Sequence, residues 1–234
     1  MSTRVVWLFL AMAVCITAEP GPASPDAIVD NYVSASRDEA RTLQGASMEV
    51  EFAASLPRLK KQGRLHALRH ISPLGLIKYE KLHFEGDSTV NKQIIARYLS
   101  AEAEAQMEQP AATAVTPQNY KFRYKGQSLL DGRPVHVFQV SPKQKRHGLF
   151  RGEVRIDAAT YLKVQESGYL VKSPSIFLKR VAFIRRYEIR DGISVPRQVL
   201  SVVDTRLVGR AELTIDFSNF SIDPNRGALS DDAQ

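Results

Sequence analysis

The stretch that decides the fold is Phe177–Phe220, FLKRVAFIRRYEIRDGISVPRQVLSVVDTRLVGRAELTIDFSNF. It contains three segments in which apolar and polar side chains alternate, most clearly in residues 210–220. A period of two over this length predicts strands with one buried face and one solvated face. Asp191-Gly192 separates the first two segments, and this dipeptide is favoured in two-residue hairpins. The stretch therefore predicts an antiparallel meander of three strands.

Strand patterns at roughly ten-residue spacing also fill much of the chain before this stretch. A helical period interrupts them twice, after the N-cap signal Ser24-Pro25 and again from Val90 to Glu108. The predicted order is helix, three strands, helix and about seven strands, which is typical of an antiparallel sheet. We predict a mainly β (α+β) fold, a curved antiparallel sheet forming a half-open barrel of about ten strands, with helices covering the concave face. The earlier strands are predicted at residues 47–54, 58–72, 76–84, 120–125, 134–141, 152–157 and 161–171.

The N-terminal residues 1–18 have the pattern of a secretory signal peptide. Arg4 precedes an apolar run, and Ala18 supplies a small residue for cleavage. Cys15, the only cysteine, lies in this segment behind Val14, where a lipoprotein signal would need a small residue. Soluble export is therefore favoured over lipidation of Cys15. A mature chain without cysteine indicates the bacterial periplasm better than an animal extracellular space.

We predict that the remaining chain divides into a linker, residues 19–25, one half-barrel domain, residues 26–222, and a polar, disordered tail, residues 223–234. The net charge is +7. For an exported protein, this charge favours anionic lipid head groups over nucleic acid, with simple solubility as the alternative. We expect no nucleic-acid partner.

Sequence motifs of common enzymes are absent. The chain has no G-x-S-x-G elbow, phosphate-binding Walker loop, G-x-G-x-x-G or H-E-x-x-H pattern. His66 and His70 fall in a predicted strand, which would place them about 13 Å apart, too far for one metal ion. We therefore expect no catalytic residues, no metal and no cofactor. A pocket with buried polar residues of perturbed pKa would revive the hypothesis of an enzyme.

With these elements in place, nearly all of residues 26–222 resembles the outer-membrane lipoprotein-sorting family of periplasmic carriers. The most suggestive stretches are Met48-Glu49-Val50-Glu51, Gly86-Asp87 leading into residues 90–102, and Gly192–Pro196 continuing to Phe220. The resemblance implies an unclosed β-barrel with helices lying across its opening. It also implies a lipid or lipoprotein acyl chain as the partner, bound inside and moved within the cell envelope.

Apolar residues on the predicted concave face are the candidate lining of such a site. Burying apolar surface contributes about 25 cal/mol per Å², so a concavity of this kind would hold a hydrocarbon chain. For any one of these residues ordinary core packing is the favoured interpretation, because burying apolar side chains is what cores do, and lining of a lipid site is the alternative. The candidate lipid-binding residues are Met48, Val50, Phe52, Leu65, Val181, Phe183, Leu213, Ile215 and Phe217.

The alternative is a non-enzymatic envelope sensor or interaction protein with a solid core and a basic partner-binding surface. Two groups of basic residues would serve it, or would serve peripheral contact with a membrane. Both groups are also consistent with ordinary solvated surface. The first group is Arg58, Lys60, Lys61, Arg64, His66, Arg69 and His70, and the second is Lys143, Lys145, Arg146, His147 and Arg151.

Overall fold

The computed structural model describes residues 24–107, 112–173, 178–205 and 209–222. The predicted signal peptide with Cys15, most of the predicted linker and the predicted tail lie outside the described residues, so these assignments stay predictions. In the part that is described, ten strands form one antiparallel sheet in the order β3-β2-β1-β10-β9-β8-β7-β6-β5-β4. The strands are β1 Ala46–Leu56, β2 Lys61–Ile71, β3 Ile77–Gly86, β4 Tyr120–Leu130, β5 Arg133–Pro142, β6 Phe150–Asp157, β7 Lys163–Leu170, β8 Leu178–Arg190, β9 Ile193–Thr205 and β10 Arg210–Ile222.

The sheet is not closed into a barrel. β1 pairs with β10, which joins the N-terminal meander to the C-terminal one, while β3 and β4 lie at the two ends of the strand order. This arrangement and the element order confirm the predicted fold class.

Two hairpins have the turn chemistry that the sequence predicts. Asp191 and Gly192 both have positive φ, 48° and 77°, between β8 and β9. Asp131 and Gly132 repeat this at 50° and 79° between β4 and β5. Positive φ at both central residues defines the type I′ turn, whose twist matches that of the adjoining strands.

The first helix, α1, spans Pro25–Thr42. The Oγ of Ser24 accepts a hydrogen bond from the Ala27 amide at 3.2 Å, and proline occupies the first turn, where no amide donor is needed. Ile28, Val29 and Tyr32 are buried against the sheet. This confirms the predicted helix and its start.

The second helical unit is continuous over residues 88–107 and is called the cover helix below. It comprises α2, Ser88–Val90, a π-helical turn, Asn91–Ile95, and α3, Ala96–Met107. The Oδ1 of Asp87 accepts hydrogen bonds from the amides of Thr89 and Val90, so the helix begins slightly before the predicted residue 90.

The π-helical turn changes which side chains the cover helix buries. The sequence period predicts Val90 and Ile94 on the buried stripe, whereas Val90 and Ile95 are the fully buried pair. An added residue in one turn rotates the following side chains around the helix axis. The side-chain Nδ2 of Asn91 in this turn donates to the Glu85 carbonyl at 2.9 Å. Gly63 makes room for it, because a Cβ at Gly63 would lie 2.2 Å from the Asn91 side-chain oxygen.

Two apolar clusters lie on one face of the sheet, and each has its own helix. The first cluster joins β1, β2, β9 and β10 to the cover helix through Val90 and Ile95. The second joins α1 to the strands from β4 to β8 through Ile28, Val29 and Tyr32. We call this side of the sheet the helix-covered face and the opposite side the open face. Within the described residues, no helix combines the length and apolarity that a bilayer crossing requires.

Candidate ligand-binding face of the sheet

One side chain from each strand forms a continuous row across the helix-covered face. The register places these ten residues opposite one another, strand by strand, from one edge to the other. Eight of them are apolar or aromatic, and only the two at the centre are charged. The row is Tyr124, Phe138, Val154, Glu166, Arg185, Val199, Ile215, Phe52, Leu65 and Phe84.

The structure brings most of the predicted lipid-binding residues together. Met48, Val50, Phe52, Leu65, Leu213 and Ile215 are buried members of the first apolar cluster, and Phe217 packs against it while partly buried. Phe183 is a buried member of the second cluster, and Val181 is partly buried outside both cluster cores. In this arrangement the cover helix and the sheet occupy the space next to these side chains. Their role in lipid binding therefore stays a proposal.

A group of charged and polar side chains separates the two apolar clusters. We call it the charged seam and define it as Glu39, Lys163, Glu166, Arg185 and Tyr187. The Lys163 ammonium lies 3.3 Å from a Glu39 carboxylate oxygen, and an Arg185 guanidinium nitrogen lies 3.3 Å from Oε2 of Glu166. The Tyr187 hydroxyl donates to the same Oε2 at 3.0 Å. Glu39 and Glu166 are buried, whereas the Arg185 side chain is 40% exposed.

The seam fixes the protonation of its members. Burial raises the pKa of Glu39, and the charge of Lys163 opposes that shift. Burial alone would lower the pKa of Lys163, but the nearby carboxylates of Glu39 and Glu166 oppose this, and the pKa is raised above its ordinary value. Lys163 is therefore held as an ammonium ion, and Tyr187, whose pKa burial raises, as a neutral phenol.

These protonation states decide what the seam can do chemically. A protonated Lys163 is no nucleophile, and Glu166 already accepts from Arg185 and Tyr187. The arrangement is suited to holding α1 against β7 and β8 and to dividing the covered face into two apolar halves. The sequence alone predicted neither property.

The second polar contact on this face attaches the cover helix to β2 and β3. The Tyr79 hydroxyl donates to Oε2 of Glu102 at 2.6 Å, and Arg69 lies 3.8 Å from the other carboxylate oxygen. Arg69 also donates weakly to the sulfur of Met48 and lies over the Phe217 ring. Arg69 is buried on the helix-covered face, so its assignment to the first basic surface group is wrong, because it has the same strand parity as Leu65.

Some of the residues that sequence reasoning missed could have been found by parity. Arg185 has the same strand parity as the buried Phe183 of β8, and its placement on the same face follows from the alternation. Lys163 could not be found this way. In β7, Val164 is an extra residue, because Arg155 pairs with Gln165 but Ile156 pairs with Lys163. This bulge turns Lys163 to the helix-covered face and breaks the period of two.

A buried histidine gives a prediction for the pH dependence of stability. His136 is buried, with Nδ1 3.1 Å from the Tyr124 hydroxyl, and burial lowers its pKa, against a smaller opposing effect of Asp157. The unfolded chain therefore binds a proton at His136 at a higher pH than the folded protein does. The stability that the neutral, buried His136 contributes is complete above the unfolded pKa of about 6.5 and is lost as the pH falls towards the lowered folded pKa. This loss has a slope of at most about 1.4 kcal/mol per pH unit.

We therefore expect His136→Gln to flatten the stability profile between about pH 6.5 and 5, compared with the unchanged chain. Chemical denaturation at a series of pH values measures it. His66→Gln is the matched control, since His66 is exposed on the open face of β2. An equal flattening in both variants would contradict the assignment to His136.

The structure leaves open the predicted roles of the two basic groups. In the described ranges, no group of three or more His, Cys, Asp and Glu side chains is placed to hold a metal ion. In the first basic group, Lys61 is paired with Asp87 at 3.0 Å. In the second, Arg146 donates to the Asn119 side-chain oxygen at 3.2 Å, which anchors the loop before β6. Binding of an anionic partner by either group remains a prediction.

A scan against protein-family models finds no match for this chain, and a search of curated proteins finds none either. Solved structures similar to it do include lipoprotein-sorting proteins. A LolA superfamily protein from Nitrosomonas europaea is 9% identical, with 86% of this chain and 94% of that one covered at a TM-score of 0.38. A domain described as an outer membrane lipoprotein-sorting protein, from Vibrio parahaemolyticus, is 12% identical, with 84% and 94% covered at 0.40.

A DUF1329 family protein from Desulfovibrio piger is 15% identical, with 85% of this chain and 93% of that chain covered at a TM-score of 0.45. The family that the sequence resembles is thus found among the solved structures similar to this chain. Identities and TM-scores this low carry no argument about activity or ligand. The function proposed below rests on the contacts of the chain itself.

Proposed function

We propose that this protein is an exported periplasmic binding protein that holds a lipid or lipoprotein acyl chain on the helix-covered face. The observation that carries the proposal is the row of side chains across an unclosed sheet, apolar on both sides of the central ion pair. Each acyl CH₂ buried there contributes about 0.8 kcal/mol. Burial of an acyl chain of ordinary length would therefore offset the free energy needed to separate a helix from the sheet.

The cover helix is the element that would move. It contributes Val90 and Ile95 to the first apolar cluster, and its Tyr98 ring meets that of Phe52 with centroids 5.8 Å apart. In its α3 part, Glu102 attaches the helix to β3 and β2 through its contacts with Tyr79 and Arg69. Displacing this helix would expose Phe52, Leu65 and Ile215 to a ligand while leaving the sheet intact.

The second candidate is an envelope sensor or interaction protein with a solid core. The complete burial of Phe52, Leu65 and Ile215 by the protein's own side chains favours it. The two candidates differ in whether hydrocarbon enters the first cluster. Two experiments distinguish them. The first measures binding of a fluorescent fatty acid, cis-parinaric acid, to delipidated protein. The second identifies by mass spectrometry the lipids extracted from protein that was purified from the periplasm of its host.

Uptake of the probe should depend on the Glu102 attachment. We expect Glu102→Gln to bind cis-parinaric acid about tenfold faster, since hydrogen bonds to charged groups contribute about 1.5–3 kcal/mol and this one holds the helix closed. Stopped-flow fluorescence measures the rate. Glu104→Gln is the matched control, because Glu104 lies on the same helix and is exposed.

The carrier proposal fails if neither the unchanged protein nor Glu102→Gln takes up the probe and no lipid is recovered from the native protein. Equal acceleration by Glu102→Gln and Glu104→Gln would leave lipid binding in place but would contradict the role of the Glu102 contact in opening.

A further inference from the structure

A pocket lies on the open face, on the other side of the sheet from the proposed acyl site. Its volume is about 650 Å³, within the range of small-molecule sites. Gln165, Arg186, Gln198 and Asp216 line it and are cross-strand partners in one row. Each is the chain neighbour of a member of the helix-covered row, and alternate side chains point to opposite faces. None of the lining residues belongs to either apolar cluster, although Tyr187 of the charged seam also contributes to the lining.

Two β-bulges build this pocket. Val164 is the extra residue of β7, as described above. Arg197 is the extra residue of β9, because Arg186 pairs with Gln198 but Tyr187 pairs with Pro196. Both bulge residues line the pocket. Bulges redirect side chains and increase local twist, and here they flank β8 on both sides at the same level.

The pocket has an apolar floor and a rim of arginines. Val135 and Val164 are buried in it, although none of the described helices covers this face. Arg133, Arg186 and Arg197 also line it and are exposed. An apolar base beside several guanidinium groups suits a molecule that has a small apolar part and an anionic group.

The acidic residues of the pocket do not occupy all of these arginines. The acidic lining residues are Asp131, Glu188 and Asp216; Glu188 accepts a hydrogen bond from Arg190, and Asp216 accepts one from the Gln198 side-chain amide at 2.7 Å. Among the described residues, Arg133 and Arg197 make no hydrogen bond or ion pair through their guanidinium groups. The pKa of Glu188 is lowered chiefly by its hydrogen bond to Arg190, with smaller effects of Arg197 and Arg133, so both charges act within the pocket.

The geometry points to a binding site for a small organic anion, a phosphate or carboxylate carrying an apolar group about the size of one ring. Arg133 and Arg197 bind the anionic group, and the floor of Val135 and Val164 receives the apolar part. The site does not depend on acyl binding at the helix-covered face. An anion here adds a second ligand to a protein whose first ligand would be a hydrocarbon chain.

Phenyl phosphate is the probe, with inorganic phosphate as the comparison. We expect saturable binding in ¹⁵N-labelled protein, with amide shifts confined to residues around Val164 and Arg197. Arg133→Gln and Arg197→Gln should each weaken it about tenfold, which corresponds to about 1.4 kcal/mol for a lost charged contact. Arg123→Gln is the matched control, an exposed arginine of β4 outside the pocket lining, and should leave binding unchanged.

Both arginines are exposed, so their variants should keep the fold of the unchanged protein. Circular dichroism checks this. The proposal is overturned if phenyl phosphate does not saturate, if shifts spread evenly over the surface, or if Arg123→Gln weakens binding as much as Arg197→Gln. Equal affinity for inorganic phosphate would also overturn it, since the valine floor would then contribute nothing. Failure of acyl binding in the fluorescent fatty-acid assay leaves this test unaffected.

Discussion

Phe52→Ala is expected to lower the free energy of unfolding by about 4 kcal/mol. Phe52 is 0% exposed, and its ring lies with centroids 5.8 Å from those of both Tyr79 and Tyr98. It lies in the row between Ile215 and Leu65, so its loss opens a cavity where β1 and the cover helix meet.

The matched control is Phe84→Ala, from the same row and of the same chemistry. Phe84 lies on the edge strand β3 and is 43% exposed, so its truncation should cost only about 1 kcal/mol. Urea denaturation followed by circular dichroism measures both. Equal losses would show that the first apolar cluster does not hold the sheet together as described.

The Phe52 variant also bears on the proposed function. A ligand that binds only the folded protein raises its stability according to its concentration relative to its Kd. If an acyl chain occupies the first cluster, cis-parinaric acid should stabilise the unchanged protein as well as Phe52→Ala. A solid-core interaction protein would gain stability only as Phe52→Ala, because the truncation itself leaves an apolar cavity.

The sequence was sufficient for the fold because the signals that determine it are local. Alternation in residues 210–220 and the Asp-Gly turns at 131–132 and 191–192 each depend on neighbouring residues alone, and the structure confirms them. Ser24 and Pro25 likewise fix the start of α1 without distant contacts. Such local signals can be recognised without knowing which strands pair.

The charged seam and the open-face pocket could not be predicted because they depend on pairing between distant strands. Val164 and Arg197 are bulge residues only relative to their partners on β6 and β8. The partnership of Glu39 with Lys163 joins residues in α1 and β7. The π-helical turn at Asn91 similarly depends on Gly63, in another element. A period read along one chain contains none of this information.

Lys163→Met should lower the free energy of unfolding by about 3–4 kcal/mol near neutral pH, because removing one partner of a buried ion pair leaves an uncompensated charge. Glu39 would be that charge. Its side chain is 5% exposed, and among the described residues its Oε2 has no hydrogen-bond partner even with Lys163 present. Methionine keeps most of the volume of lysine, so the loss reports the charge more than a cavity.

The pH dependence of this loss has a definite sign. Burial raises the pKa of Glu39, and removing the Lys163 ammonium raises it further. A carboxyl of raised folded pKa favours the folded state below its unfolded pKa, and this advantage is lost as the pH rises through the folded value. The deficit of Lys163→Met should therefore grow from pH 5 to pH 8.

Two further variants complete the test. Lys121→Met, an exposed lysine of β4, should change stability by less than about 0.5 kcal/mol. The double variant Glu39→Leu with Lys163→Met should recover most of the loss, because an apolar pair of similar volume needs no partner. Denaturation at pH 5 and pH 8 measures all three. A deficit that does not change with pH, or that the double variant retains in full, would show that the Glu39–Lys163 pair does not hold α1 to the sheet.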